Sequence, residues 1–395
     1  MPETQAPGTC FHWLVDGAPG TTGPPDVVAE MGPRLNAEGI PIARIAAFVR
    51  TLHPHIMGRS FTWVRGEPGV TVREAPYAIL NGPEFADSPA GQVFATGREL
   101  RVRFGDTLMP GHPDLQAVAA QGMTDYLMLP MRFLDGRIHA IAISTDAPGG
   151  FNEGHVQALR EVIRPLSRVA EILALRRTAT NLLNAYVGRD AGERILQGHV
   201  QRGDTETVRC VTWFADLRGF TRLSATREPK DIILLLNRVF DCQVPAVERG
   251  GGEVLKFMGD GMLAIFPVGA EPGAEAAVAA RALEAAQSAF AALDAANAAN
   301  PEEPLAFGVA LHIGDVAYGN IGGLGRLDFT CIGPAVNLAA RLEALTARLG
   351  KRLLVSADFA AHLPGACRSL GTFELKGIDA PVEAFEPLPT PRPSP

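Results

Sequence analysis

A chain of 395 residues predicts two or three domains at roughly 150 residues each, and its hydrophobic fraction of 47% is ample for buried cores. With 20% charged residues, 7% aromatics and no dominant low-complexity block, the composition excludes a disordered or fibrous protein. Lys plus Arg (36) against Asp plus Glu (43) leaves a formal charge of −7. That balance argues against a general nucleic-acid binder, and a polyanionic substrate would have to be held against the overall field.

The five cysteines, Cys10, Cys210, Cys242, Cys331 and Cys367, are widely spaced and free of any CxxC pairing, the pattern of reduced thiols in a cytoplasmic protein. No apolar run approaches the roughly 18 residues of a membrane span. The N-terminus lacks the basic and apolar regions of a signal peptide.

In chain order, residues 1–34 are rich in Gly and Pro and read as an irregular segment. From Ile40 a helical pattern runs through Ile45, Ala46, Val49 and Leu52 to a turn at His53-Pro54. His53 and His55 read as turn residues, and none of the nine histidines stands at metal-ligand spacing. Strand-like pieces follow at 61–65 and 71–79. The clearest element is a hairpin in which YLMLPMRF (126–133) and RIHAIAIST (137–145) flank Leu134-Asp135-Gly136. Residues 149–177 then form a helix with an apolar stripe at Leu159, Val162, Leu166, Val169 and Leu173.

This order of strands, late hairpin and long exit helix resembles an α/β GAF-like sensor domain over residues 35–175. The resemblance implies an apolar pocket for a small molecule and names no ligand. The exit helix continues through 179–188, with Leu182, Leu183 and Tyr186 on its stripe. Packing on its own domain and a parallel coiled coil between two chains both fit that stripe. Residues 176–207 form a helical linker, and a tail occupies 389–395.

Over residues 208–388 strands and helices alternate. VRCVTWFAD (208–216) is an apolar strand and 230–250 an amphipathic helix; 251–267 reads as two strands around a Met258-Gly259-Asp260-Gly261 turn. An Ala-rich helix (274–299), strands at 305–314 and 316–322, the segment 326–333, a helix at 335–350 and short strands near 353–355, 369–375 and 382–387 complete it. The order fits an α+β ferredoxin-like sandwich with helices packed on one sheet.

Asp216 ends an apolar strand, and Asp260 sits in a tight Gly-flanked turn. If the two strands are neighbours, the carboxylates converge, which is costly unless a cation holds them together. Oxygen donors at a strand rim suit Mg²⁺, whose other ligands come from water and substrate phosphates. LRGFT (217–221) turns into a helix whose N–H groups and Thr221 hydroxyl offer anion ligands. Taken singly, Asp216 and Thr221 also fit a helix cap, and Asp260 a turn residue.

FADLRGFT (214–221), GGEVLKFMGD (251–260) and DFTCIGPAVNLAARLE (328–343) together resemble the catalytic domain of class III nucleotide cyclases, in order and at matching separations. The resemblance implies that Asp216, Asp260 and the Leu217 carbonyl hold two divalent metal ions, Mg or Mn. It assigns Lys256 and Thr330 to the purine, and Asn337 and Arg341 to the ribose and the transition state. Gly219, Phe220, Thr221 and Lys376 fall to the phosphates. Lysine donating to adenine N1 and threonine accepting from the exocyclic amine favour ATP over GTP, whereas guanylate cyclases carry an acidic residue and a cysteine there. The expected reaction is in-line attack of the ribose 3′-oxygen on the α-phosphorus of ATP, giving cyclic AMP and pyrophosphate.

Two departures from the family pattern stand out. Many adenylate cyclases have aspartate where this chain has Thr330, and the threonine variant looks like the subclass that includes bicarbonate-responsive enzymes. In the strand beginning LAFG, Ala306 and Gly308 supply no charge where relatives often carry an arginine. The resemblance also implies a homodimer in which one chain gives the aspartates and the other gives Lys256, Thr330, Asn337 and Arg341. Alternatives are a guanylate cyclase and a catalytically silent nucleotide-binding or dimerisation module.

Overall fold

The computed structural model describes residues 9–51, 56–80, 82–105 and 111–388. Leu52, His53, Pro54 and His55, and the tail from residue 389, lie outside the described residues. The chain divides into two compact units, residues 1–182 and 183–395.

The first unit runs α1 (Cys10–Val15), α2 (Pro24–Ala37), β1 (Arg44–Arg50), β2 (Ile56–Val64), β3 (Thr71–Pro76), α3 (Tyr77–Leu80), α4 (Pro83–Asp87), α5 (Pro89–Thr96), β4 (Leu100–Arg103), α6 (Pro113–Ala120), β5 (Asp125–Arg132) and β6 (Ile138–Thr145). It leads into α7 (Glu153–Val187), within which the unit boundary falls. The strands form one antiparallel sheet in the order β3-β2-β1-β6-β5-β4. Side chains alternate across it. Ile45, Ala47, Phe61 and Trp63 pack with Val27, Met31 and Leu35 of α2 and with Leu159 and Leu166 of α7. Ala46, Met128, Ala140 and Ala142 face Val93 of α5 and Val118 of α6 on the other side.

The hairpin stands as its sequence predicts: β5 and β6 pair from Asp125↔Thr145 to Arg132↔Ile138, and Gly136 turns at φ +82°. Three other expectations are corrected. The described part of the segment 1–34 is not irregular, because Pro24 and Pro25 open the first turn of α2, where a missing N–H costs nothing, and Val27, Val28, Met31 and Leu35 bury one stripe. Within the helix expected from Ile40 to Leu52, residues Arg44–Arg50 form the strand β1. Ile45, Ala46 and Ala47 are all buried because the sheet is covered on both faces, and a doubly buried strand loses the alternation that identifies it. The strand expected at 71–79 stops at Pro76, where α3 begins.

The second unit contains α8 (Arg189–Leu196), β7 (Thr205–Leu217), α9 (Phe220–Thr226), α10 (Pro229–Arg249), β8 (Glu253–Met258), β9 (Gly261–Pro267), α11 (Ala274–Ala299), β10 (Phe307–Gly323), β11 (Arg326–Ile332), α12 (Pro334–Leu349), β12 (Leu353–Ser356), α13 (Ala357–Ala361), β13 (Cys367–Phe373) and β14 (Val382–Pro387). Its sheet runs β13-β14-β12-β10-β7-β9-β8, with β11 paired to β10. The α+β arrangement stands, with helices on both faces. Buried residues of α10 and α11 cover Trp213, Ala215, Met262 and Phe266 on one side. On the other, α12 packs Leu342 and Leu345 over Ala310. The two strands expected at 305–322 are one continuous strand, since β10 pairs without a break against β7 from Phe307↔Leu217 to Gly319↔Thr205.

Helix α8 is docked behind two of the strands that carry candidate residues. Ala191 is buried with Leu255 of β8 and with Phe329 and Cys331 of β11. Glu253 Oε1 accepts from the Asp190 N–H at 2.9 Å, a carboxylate at a helix N-terminus. Among the described residues no helix is long and apolar enough to cross a membrane.

Candidate active site

Asp216 lies near the end of β7, where its register partners are Gly261 of β9 and Gly308 of β10. Asp260 immediately precedes Gly261 in the β8–β9 turn, so strand pairing sets the two carboxylates side by side. Asp216 is pushed up to about 6, chiefly by burial and then by the negative charge of Asp260, with which it shares a hydrogen bond; the Leu217 N–H opposes this by donating to Asp216. Close like charges without a cation share a proton in this way. No ion pair from a Lys, Arg or His reaches either carboxylate among the described residues.

A third carboxyl, to which the sequence reading gave no role, stands behind them. Glu343, on α12, is 8% exposed and accepts from the Thr346 hydroxyl at 3.3 Å. Burial, then the charge of Asp216, pushes it up to about 7. Gly308 makes the approach possible: a Cβ there would lie 2.7 Å from Glu343 Oε1 and 2.3 Å from Thr346 Oγ1. The position noted in sequence only for its lack of charge thus admits a buried acid. The available signal was an acidic residue between Leu342 and Leu345 on the buried stripe of an amphipathic helix.

After Asp216 the chain is fixed by the Arg218 N–H, which donates to the Ala306 carbonyl at 2.8 Å. The Arg218 guanidinium donates to the Lys351 carbonyl. Gly219 then precedes α9, with Phe220 half-buried and Thr221 exposed.

Lys256 on β8 is half-buried, and its charge reaches Cys331, where it partly offsets the burial that pushes the thiol up to about 11. Thr330, next to Cys331 on β11, is 3% exposed, and its Oγ1 has no hydrogen-bond partner. Lys256 is therefore near Cys331, the residue next to the orphaned Thr330 hydroxyl on β11.

Asn337 and Arg341 are exposed on α12. At about 100° per residue, Arg341 and Glu343 project roughly 200° apart. Glu343 faces its own chain's carboxylates, so Arg341 faces away from them. Lys376 is exposed in the β13–β14 turn. Strand β13 is four places from β7 in the sheet, about 19 Å at about 4.8 Å per strand. The carboxylates thus form one group, while Asn337, Arg341 and Lys376 are not gathered around them within the chain.

Two carboxylates at a strand rim, of which Asp216 is raised by burial and by the charge of Asp260, match the donor chemistry of a hard divalent cation. Among the described residues no group of three or more His, Cys, Asp or Glu is arranged to hold a metal. Further oxygen ligands would have to come from backbone, water or a bound phosphate.

Residues 203–385 match the family described as "Adenylate and Guanylate cyclase catalytic domain". An adenylate cyclase of Anabaena cylindrica is 31% identical over 186 residues, covering 47% of this chain and 36% of that protein. An uncharacterized protein of Mycobacterium tuberculosis is 33% identical over 234 residues, covering 58% of this chain and 40% of that one. The chain therefore matches little more than a third of the length of these curated relatives. Among solved structures, the adenylyl cyclase CyaB from P. aeruginosa is 25% identical, with a TM-score of 0.41, covering 48% of this chain and 98% of that one.

Proposed function

Taking residues 203–385 as an adenylate and guanylate cyclase catalytic domain, we propose that the protein is an adenylate cyclase converting ATP to 3′,5′-cyclic AMP and pyrophosphate. The observation that carries this reading is the Asp216–Asp260 pair, two carboxylates set against each other without a base from the chain. Two divalent cations, Mg²⁺ or Mn²⁺, would be held by Asp216, Asp260 and the Leu217 carbonyl. When bound they favour ionisation of the ribose 3′-hydroxyl and screen the triphosphate.

The remaining roles belong to the chain's own groups. Lys256 donates to adenine N1, a position that carries a hydrogen in guanine and would repel the ammonium. Thr330 Oγ1 accepts from the exocyclic amine, and its lack of a partner supports that role. Asn337 orients the ribose, and Arg341 stabilises charge growing on the phosphoryl oxygens, an interaction stronger in the transition state than in the bound substrate. Gly219, Phe220, Thr221 and Lys376 bind the triphosphate.

The active sites are shared across a homodimer. The opposite projection of Arg341 and Glu343 from one helix supports this, because one chain cannot aim both at the same carboxylates. The exposed Ile172, Leu175, Leu182 and Tyr186 on α7, at steps of 3, 7 and 4, give a near-heptad stripe for a second copy. The first unit is a GAF-like regulatory domain, a reading supported by its antiparallel sheet with helices on both faces. The cytoplasm suits five free cysteines.

Purified full-length protein supplied with ATP or GTP and with Mg²⁺ or Mn²⁺ tests the reading. Cyclic AMP from ATP, well above cyclic GMP from GTP, is the expected result. Preference for GTP would make it a guanylate cyclase, and no product from either nucleotide would favour the silent module. Mixing inactive Asp216→Ala and Arg341→Ala chains should restore activity; no recovery would argue for sites within a single chain.

A further inference from the structure

The first unit holds a cleft of about 850 Å³ between the β1–β3 face of its sheet and the helices α3, α4 and α5. Ligand sites of small molecules commonly span about 300–1,000 Å³. Register shows which side chains face it. Phe48 pairs with Ser60 and Arg50 with Gly58 across β1 and β2, and Ser60 pairs with Arg73 across β2 and β3. Paired residues share a face, so Phe48, Arg50, Ser60 and Arg73 all line the cleft, and Phe85 and Phe94 close it from the helices.

Arg50 is the half-buried arginine of this wall with no ion-pair partner among the described residues, whereas Arg73 is exposed. Its guanidinium carbon lies 4.9 Å from the centre of the Phe94 ring. Its Nε is buried with no hydrogen-bond partner. Glu74, Glu84, Asp87 and Asp114 also line the cleft, yet none pairs with Arg50 or Arg73 among the described residues; the ion pairs there join Arg59 to Glu74 and His112 to Asp114. Burial, with the like charge of Arg137 added, lowers the proton affinity of Arg50. Arg59, the neighbour of Ser60 on β2 and also at the cleft, shows the contrast. It forks onto Glu74 through Nε at 3.0 Å and Nη2 at 2.6 Å. Where the chain means an arginine to be structural here, it supplies a carboxylate. A buried donor left without an acceptor is costly, and an arriving anion removes that cost.

We propose that this cleft binds a small amphipathic organic anion, with its head group on the Arg50 guanidinium and a flat apolar body against Phe48, Phe85 and Phe94. The planar fork of an arginine suits a carboxylate, a sulfonate or a phosphate monoester. The inference stands apart from the cyclase reading, since it uses only residues of the first unit.

Two fluorescent probes with one aromatic body test it on the full-length protein. 8-Anilinonaphthalene-1-sulfonate carries an anionic head, and N-phenyl-1-naphthylamine has none. The wild type should bind the sulfonate at least about tenfold more tightly than the neutral probe, as a charge-assisted bond implies. Arg50→Gln should bring the two affinities within about twofold of each other, whereas Arg65→Gln, which removes an arginine paired with Asp146 outside the cleft lining, should leave both as in the wild type. Equal affinities in the wild type, or an Arg50→Gln change that spares the sulfonate or weakens both probes alike, would overturn the proposal. Should Arg50→Gln fail to fold, the wild-type comparison still decides. Displacement of the sulfonate by 2-naphthoate or by 2-naphthyl phosphate identifies the head group; displacement by neither counts against the site.

Discussion

Asp125 of the first unit and Asp216 of the second are both acids on interior strands, and the chain treats their charges in opposite ways. Asp125 is 0% exposed and fully answered: Arg101 Nη2 lies 2.8 Å from its Oδ2, and the Phe151 N–H donates to the same oxygen at 3.0 Å. Asp216 has two further acids around it, Asp260 and Glu343, and is pushed up to about 6. A carboxylate that the fold needs brings its cation with it. One that waits for a cation from solution is left in a position that is unfavourable without it, and that difference separates structural from functional acids.

The largest expected effect breaks the second half of this contrast. Asp216→Ala should lower cyclase turnover by about 1,000-fold while leaving the thermal midpoint of the metal-free protein unchanged or higher. A large fall in that midpoint would make Asp216 structural. Asp125→Ala should do the reverse, destabilising the first unit by about 3 kcal/mol in chemical unfolding because Arg101 loses its buried partner. A loss below about 0.5 kcal/mol would remove the distinction.

Gly308→Ala should cost about 2 kcal/mol, because the added carbon would fall inside contact distance of Thr346 and Glu343. It should also weaken metal binding by moving α12, as a titration of Mn²⁺ would report. The smallest effect is in pH dependence. Asp216 and Glu343 hold protons more tightly folded than unfolded, so their contribution favours the folded state as pH falls from above about 7 toward the unfolded values near 4. For half-exposed Asp216, solvent screening reduces this to about 1 kcal/mol. Unfolding of the metal-free protein at pH 8 and pH 5.5 measures the slope, and saturating Mn²⁺ should flatten it.

Much of this was legible in the sequence, and particular residues explain the rest. The Asp135-Gly136 turn announced its hairpin because a two-sided apolar alternation needs a glycine where φ is positive. Asp216 and Asp260 could be singled out because each stands where an apolar strand meets a turn. Strand β1 has the pattern of a helix because burial on both faces erases its period, and α2 is masked by prolines that start a helix as readily as they break one. Glu343 gives little signal of its own because its significance depends on Gly308, 35 positions away in sequence, and only the packing of α12 on β10 puts the two in contact.

The central claim is that Asp216 and Asp260 are a cation site carrying a proton that a metal must displace. Calorimetric titration of Mn²⁺ into the wild type and into Asp216→Asn at pH 6, in two buffers of different ionisation enthalpy, counts the protons released on binding. The account predicts binding with proton release in the wild type, less release at pH 8, and loss of both binding and release in Asp216→Asn. Mn²⁺ binding of equal strength in the two proteins, or binding without proton release at pH 6, would contradict it.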